Sequence, residues 1–152
     1  RIVLLKGLEG EKFRFFTNYN SAKGKQMDAN PFVSITFFWP ELERQVRIEG
    51  VVEKISDQDS EAYFHSRPKT SQIGAVVSPQ SSIIPDRDVL EQAKADLEKK
   101  HETQPVPRPE HWGGYDVEAQ TIEFWQGRES RLHDRVLYTS TENGWVKDRL
   151  AP

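Results

Sequence analysis

The chain has 152 residues, with 36% hydrophobic and 30% charged residues and a formal net charge of −3; that is one domain's length, and eight Phe, four Trp and four Tyr supply a core that a disordered chain lacks. The mild acidity excludes a general nucleic-acid-binding surface, so any anion must meet a local basic cluster. The absence of cysteine excludes disulfides, thiolate catalysis and Cys-ligated metal centres, and no apolar run approaches the roughly 18 residues of a membrane span.

Ile2–Lys6 and Phe13–Asn18 read as strands, joined by a turn at Gly7-Leu8-Glu9-Gly10. Ser21–Asn30 has helical character and stops at Asn30-Pro31. Phe32–Trp39 is aromatic and β-branched, hence a strand. Arg44–Ile55 alternates, with Val46, Ile48 and Val52 on one side and Gln45, Arg47 and Glu49 on the other.

Ser56 and Asp59 form a capping pattern that starts a helix reaching about His65. Pro68 interrupts it, and a second short helix follows through Ile73 to Val77. Asp86–Glu102 is a further helix with Leu90, Ala93 and Leu97 as its apolar stripe. After the proline-rich connector at Gln104–Pro109 come strands at Gly114–Glu118, Thr121–Gln126, Arg135–Thr139 and Trp145–Arg149.

The sum is an α+β chain, mainly β. We expect one domain over residues 1–152, an antiparallel, Greek-key-like barrel, closed or partly closed, with inserted helices. There is no Gly-rich phosphate loop, no metal-binding histidine pattern and no internal repeat. Arg1 follows no start methionine, so a segment upstream is expected. Lack of cysteine fits a cytoplasmic protein, with any targeting segment lying before Arg1.

Three constellations can carry chemistry. Tyr63, Arg67 and Ser71 are spaced by four, so on a continuous helix two hydroxyls and a guanidinium share a face, a phosphate cradle. The alternative is a solvated helix face, and Pro68 weakens the geometric step. Arg131, His133 and Arg135 alternate after the aromatic strand Glu123–Gly127. If extended, they form a positive patch beside Trp125, suited to a planar anion; the alternative is a surface turn neutralised by Asp134. Arg1 and Lys6, with Ser21-Ala22-Lys23 at a helix start, offer a further anion site or merely a capped surface helix.

Nine segments taken in order resemble the pyridoxamine 5′-phosphate oxidase family over the whole chain. They are Arg1–Lys6, Arg44–Gly50, Tyr63–Pro68, Ser71–Ala75, Gln80–Ser82, Trp112–Gly114, Glu123–Gly127, Arg131–Arg135 and Asp148–Pro152. The resemblance implies an FMN-binding split β-barrel working as a homodimer with FMN at the subunit interface. It implies oxidation of pyridoxamine or pyridoxine 5′-phosphate by O2 to pyridoxal 5′-phosphate, with release of H2O2.

It also implies roles. Arg1, Ile2, Val3, Leu4, Leu5, Lys6, Phe16, Thr17, Lys23, Gln45, Gln80, Ser81, Trp125 and Arg135 match FMN contacts. Lys6, Tyr63, Arg67, Ser71, Arg131 and His133 match substrate positions, with Arg131 and His133 nearest the reacting carbon. One departure is Ala22, which stands where the family usually has an arginine beside Lys23. A non-catalytic split barrel that holds FMN or pyridoxal phosphate is the alternative reading.

Overall fold

A single long strand organises the chain. In the computed structural model, which describes residues 1–152, all seven strands belong to one antiparallel sheet centred on β5 (Trp112–Gln126). One edge of β5 pairs with β4 (Arg44–Lys54) from Tyr115 to Gln126. Its other edge pairs first with β2 (Lys12–Asn18), from Trp112 to Glu118, and then with β6 (Asp134–Thr141), from Thr121 to Gln126. The sheet therefore splits at Ala119-Gln120. β1 (Gly7–Glu9) and β3 (Phe32–Trp39) extend it beyond β2 and β4, and β7 (Gly144–Leu150) beyond β6.

The split coincides with a β-bulge. Glu49 faces Thr121 but Gly50 faces Ala119, which leaves Gln120 unpaired with β4 and turned to solvent. A Cβ on Gly50 would fall 2.0 Å from the Glu118 carbonyl oxygen, so only glycine lets the strands approach this closely. The sequence pattern breaks at this point because the bulge shifts the side-chain alternation, and two strands are expected where one bulged strand forms.

The N-terminus also differs from expectation. Residues 2–6 lie outside the sheet, attached by one bond from the Lys6 N–H to the Arg14 carbonyl (2.9 Å). The hairpin is β1–β2, with Glu9 opposite Lys12 and a two-residue turn at Gly10-Glu11. Gly10 sits at φ +63°, in the left-handed region that glycine enters freely, and this places the turn three residues later than the sequence pattern does.

Helices α1 (Ala22–Ala29), α2 (Asp57–Ser66), α3 (Lys69–Val77) and α4 (Asp88–Lys100) are inserted between strands. Ser21 caps α1 by accepting from the Gly24 N–H (3.2 Å), and Ser56 caps α2 by accepting from Asp59 (3.0 Å). Leu90, Ala93 and Leu97 are the half-buried stripe of α4. No helix is long and apolar enough to cross a membrane.

The core has two parts. Phe15, Val52, Tyr115 and Val117 fill the sheet, and Phe64, Ile73, Val106 and Trp112 join α2 and α3 to the start of β5. The second cluster fixes the wall of the site described next.

Candidate active site

α2 stops at Ser66 because Pro68 follows, and Arg67 takes an extended conformation (φ −79°, ψ 152°). Tyr63, Arg67 and Ser71 therefore do not share the face of a continuous helix, as their spacing suggests. The kink instead turns all three into one cleft of about 620 Å3. Phe16 and Thr17 of β2, Lys23 of α1, Gln80, and Ile2, Val3, Leu4 and Lys6 of the N-terminal segment line it as well. That segment leaves the sheet and becomes a wall.

The cleft's charge is one-sided. Its lining contains Lys6, Lys23 and Arg67 and no carboxylate, in a chain with more acidic than basic residues. Lys23 Nζ donates to Thr17 Oγ1 (2.8 Å), Gln80 Oε1 (2.9 Å) and Ser21 Oγ (3.4 Å), all neutral. Burial holds its pKa below the ordinary lysine value, and the nearby Arg1 charge lowers it further. Arg67 donates through Nη2 to the Ser71 carbonyl (2.8 Å) and lies over the Trp112 ring (4.5 Å). Its Nη1 is buried without a partner, and desolvation lowers its pKa. Phe16, Tyr63 and Trp112 stack in near-parallel planes, with Phe16 and Tyr63 centroids 3.7 Å apart.

A second group forms on the sheet. Gln45 of β4, Trp125 of β5 and Arg135 of β6 are direct cross-strand partners, one row on one face. Arg135 donates twice to Glu123, at 2.7 and 3.0 Å. These bonds hold the Glu123 carboxyl below its usual range against the opposing effect of burial. Arg131, His133 and Arg135 are not an extended alternating row. Ser130 and Arg131 have φ of +56° and +61° in a tight turn, which breaks the alternation. His133 leans on Trp125 (4.8 Å between rings) and its Nδ1 accepts from the Arg128 N–H (3.1 Å), so a neutral ring presents Nε2–H as a donor. Arg131 is exposed.

Of the residues expected at the site, Gln45, Trp125, Arg135, Arg131 and His133 are absent from the cleft lining. Ser81 is exposed at φ +73° beside Gln80, Leu5 is 41% exposed outside the lining, and Arg1 acts on Lys23 by charge. Within one chain the expected residues thus form two collections.

Residues 1–101 match the family model described as pyridoxamine 5′-phosphate oxidase, and residues 112–152 match that of the pyridoxine 5′-phosphate oxidase C-terminal dimerisation region. The chain belongs to the pyridoxamine 5′-phosphate oxidase family. It is 54% identical over 152 residues to the pyridoxine/pyridoxamine 5′-phosphate oxidase of Acaryochloris marina, covering 100% of this chain and 69% of that one. It is 50% identical over 167 residues to the pyridoxine-5′-phosphate oxidase of Bos taurus, covering 100% and 64%. Among solved structures it superposes with a TM-score of 0.92 on PhzG from Burkholderia lata 383, crystallised with tetrahydrophenazine-1-carboxylic acid, at 26% identity over 100% of this chain and 74% of PhzG. A pyridoxamine 5′-phosphate oxidase-related, FMN-binding protein of Nostoc punctiforme shares the fold (TM-score 0.76, 18% identity, 100% and 79% covered). The α+β split-barrel architecture is thus that of the oxidase family.

The donor set suits phosphorylated ligands, the cofactor of this oxidase family among them. Arg67 has an unfilled buried donor, and Lys23 is a desolvated cation among neutral oxygens. Each gains by meeting a phosphate. Arg47, Glu123 and Trp112 also belong to the two collections. Sequence reasoning passes over them as functional residues because they act on other side chains; only the alternation of β4 places Arg47 on the face of Gln45.

Proposed function

We infer that the chain is an FMN-dependent oxidase that converts pyridoxamine 5′-phosphate or pyridoxine 5′-phosphate to pyridoxal 5′-phosphate with O2, releasing H2O2, in vitamin B6 metabolism. The observation that carries this reading at the level of the site is the cleft with three cations and no carboxylate, within a chain of the oxidase family.

The cleft offers two places for phosphate, and we assign them separately. Lys23 with Thr17, Gln80, Ser81 and Arg1 would take the cofactor phosphate. Lys6, Tyr63, Arg67 and Ser71 would take that of the substrate, where the free Arg67 Nη1 supplies a charge-assisted donor. Phe16 and the Ile2–Leu5 segment would flank the flavin. Bound FMN supplies the two-electron oxidation at the substrate's C4′ carbon and the transfer of those electrons to O2. The protein's part is to hold the two rings together and keep water from the reacting face. His133, presenting Nε2–H, and Arg131 would orient the substrate at C4′.

The sheet row is assigned to the same cofactor from a second copy of the chain. Gln45, Trp125 and Arg135 of one protomer would complete the cleft of its partner, so the oxidase would be a homodimer with two flavin sites. The dimerisation region matched over residues 112–152 supports this. On the opposite face of the same strands, the apolar groove of Ile122, Phe124, Val136, Tyr138 and Trp145 gives a dimer apolar surface to bury.

The spectrum of the FMN-loaded protein tests the oxidase reading. Anaerobic pyridoxamine 5′-phosphate should bleach the flavin band, and air should restore it with one H2O2 per flavin. A stable yellow protein that does not bleach is a binder, not an oxidase.

A further inference from the structure

Two residues beyond Gln45, on the same face of β4, Arg47 does something specific to it. Arg47 Nε and Nη2 both donate to Gln45 Oε1, at 3.0 and 2.9 Å. Arg47 Nη1 lies 3.6 Å from Glu123 Oε1, the carboxylate that also grips Arg135. A chain of polar contacts thus runs Gln45–Arg47–Glu123–Arg135 across three strands.

The chemistry of the contact is directional. A carboxamide has an accepting oxygen and a donating NH2, whereas a guanidinium only donates. Arg47 can therefore hold Gln45 only by its oxygen, and rotating the amide by a half-turn sets donor against donor. With Oε1 committed, the Nε2 hydrogens are the part of Gln45 left for a ligand. The edge of a flavin ring carries two carbonyl oxygens and bare ring nitrogens that need donors, beside a single N3–H that donates; a Gln45 held by its oxygen is set for the former. Arg47 is half-buried, and its polar contacts go to Gln45 and Glu123.

We propose that Arg47 is a positioning residue for the cofactor, fixing the Gln45 carboxamide as a donor toward FMN and acting on FMN through Gln45, not through its own charge. The proposal rests on the reading above that Gln45 meets the cofactor. The experiment separates the two.

The dissociation constant of FMN is measured by flavin fluorescence on apoprotein of the wild type, Arg47→Met, Arg47→Lys, Gln45→Leu and the Arg47→Met/Gln45→Leu double variant. The visible spectrum of each loaded protein is recorded alongside. Arg47→Met keeps the stem but loses the donors, and should weaken FMN about three- to tenfold. Arg47→Lys, with one donor direction instead of a fork, should fall between. Gln45→Leu should cost at least as much as Arg47→Met and shift the flavin band in the same sense. The double variant should match Gln45→Leu to within about twofold, because no amide is left to orient.

Additive losses in the double variant would overturn the proposal, since Arg47 would then act by its own charge. So would a loss in Arg47→Met without one in Gln45→Leu. A loss in Gln45→Leu with Arg47→Met like wild type would refute Arg47 alone and leave the Gln45 assignment standing. If neither variant moves the constant, Gln45 does not meet the cofactor and both readings fall.

Discussion

Arg67→Ala separates substrate clamping from folding, and the structure supplies both magnitudes. In the free protein the mutation removes the bond from Nη2 to the Ser71 carbonyl (2.8 Å) and the stacking on Trp112 (4.5 Å). Those are worth roughly 1.5–3 kcal/mol, the donor being charged, and roughly 0.5–1 kcal/mol. It also removes the buried, unpartnered Nη1, a burden of about 1–3 kcal/mol. The terms offset, so stability should change by about 1 kcal/mol or less, a few degrees in melting temperature. With substrate bound, the loss is a charge-assisted bond to phosphate of about 1.5–3 kcal/mol, a ten- to 150-fold rise in the dissociation constant, by order of magnitude. Anaerobic flavin reduction, titrated with pyridoxamine 5′-phosphate and with unphosphorylated pyridoxamine, measures it. Only the phosphorylated substrate should weaken, and FMN content should hold. Equal losses for both substrates, or a protein that no longer retains FMN, would refute the assignment of Arg67 to the substrate phosphate.

Lys23 has its pKa lowered by burial and by Arg1, and phosphate meets its protonated form, so FMN affinity should decline with rising pH earlier than an ordinary lysine allows. A Lys23→Arg variant, titrated with FMN across the alkaline range, should show a flatter profile. Glu123, held below its ordinary 4.5 chiefly by Arg135, contributes stability that is full above that value and lost as pH falls through the lowered one; Glu123→Gln should therefore flatten the acid limb of a melting-temperature profile. Tyr115→Phe removes a buried hydroxyl that has no partner and should leave stability unchanged or raise it by about 1 kcal/mol, roughly 2–4 °C by calorimetry.

Periodicity makes β4, the three-residue stripe of α4 and the caps at Ser21 and Ser56 readable, because each is a local pattern with a local cause. The bulge at Gln120 is different. It exists because Gly50 and Glu118 approach across two strands, and no window along the chain contains both. The same holds for residues 2–6, whose apolar run looks like a strand. Gly10 sets the register of the hairpin after them, and the run is left to wall the cleft.

The site repeats this division between chemistry and geometry. Residue types at Tyr63, Arg67 and Ser71 suggest a phosphate cradle, but on the wrong premise of a continuous helix. Pro68 ends α2 and turns Arg67 off the helix; with Tyr63 and Ser71 it still lines the one cleft. For Arg131, His133 and Arg135 the alternation fails outright, since positive φ at Ser130 and Arg131 forces a turn. What then relates Arg135 to Gln45 is the pairing of β4, β5 and β6, which brings residues 90 positions apart into one row. That row stands apart from the cleft lining in the same chain. A cofactor assigned to both sets is therefore an argument for two copies, with the face of β4, β5 and β6 that carries Gln45, Trp125 and Arg135 turned toward the partner's cleft.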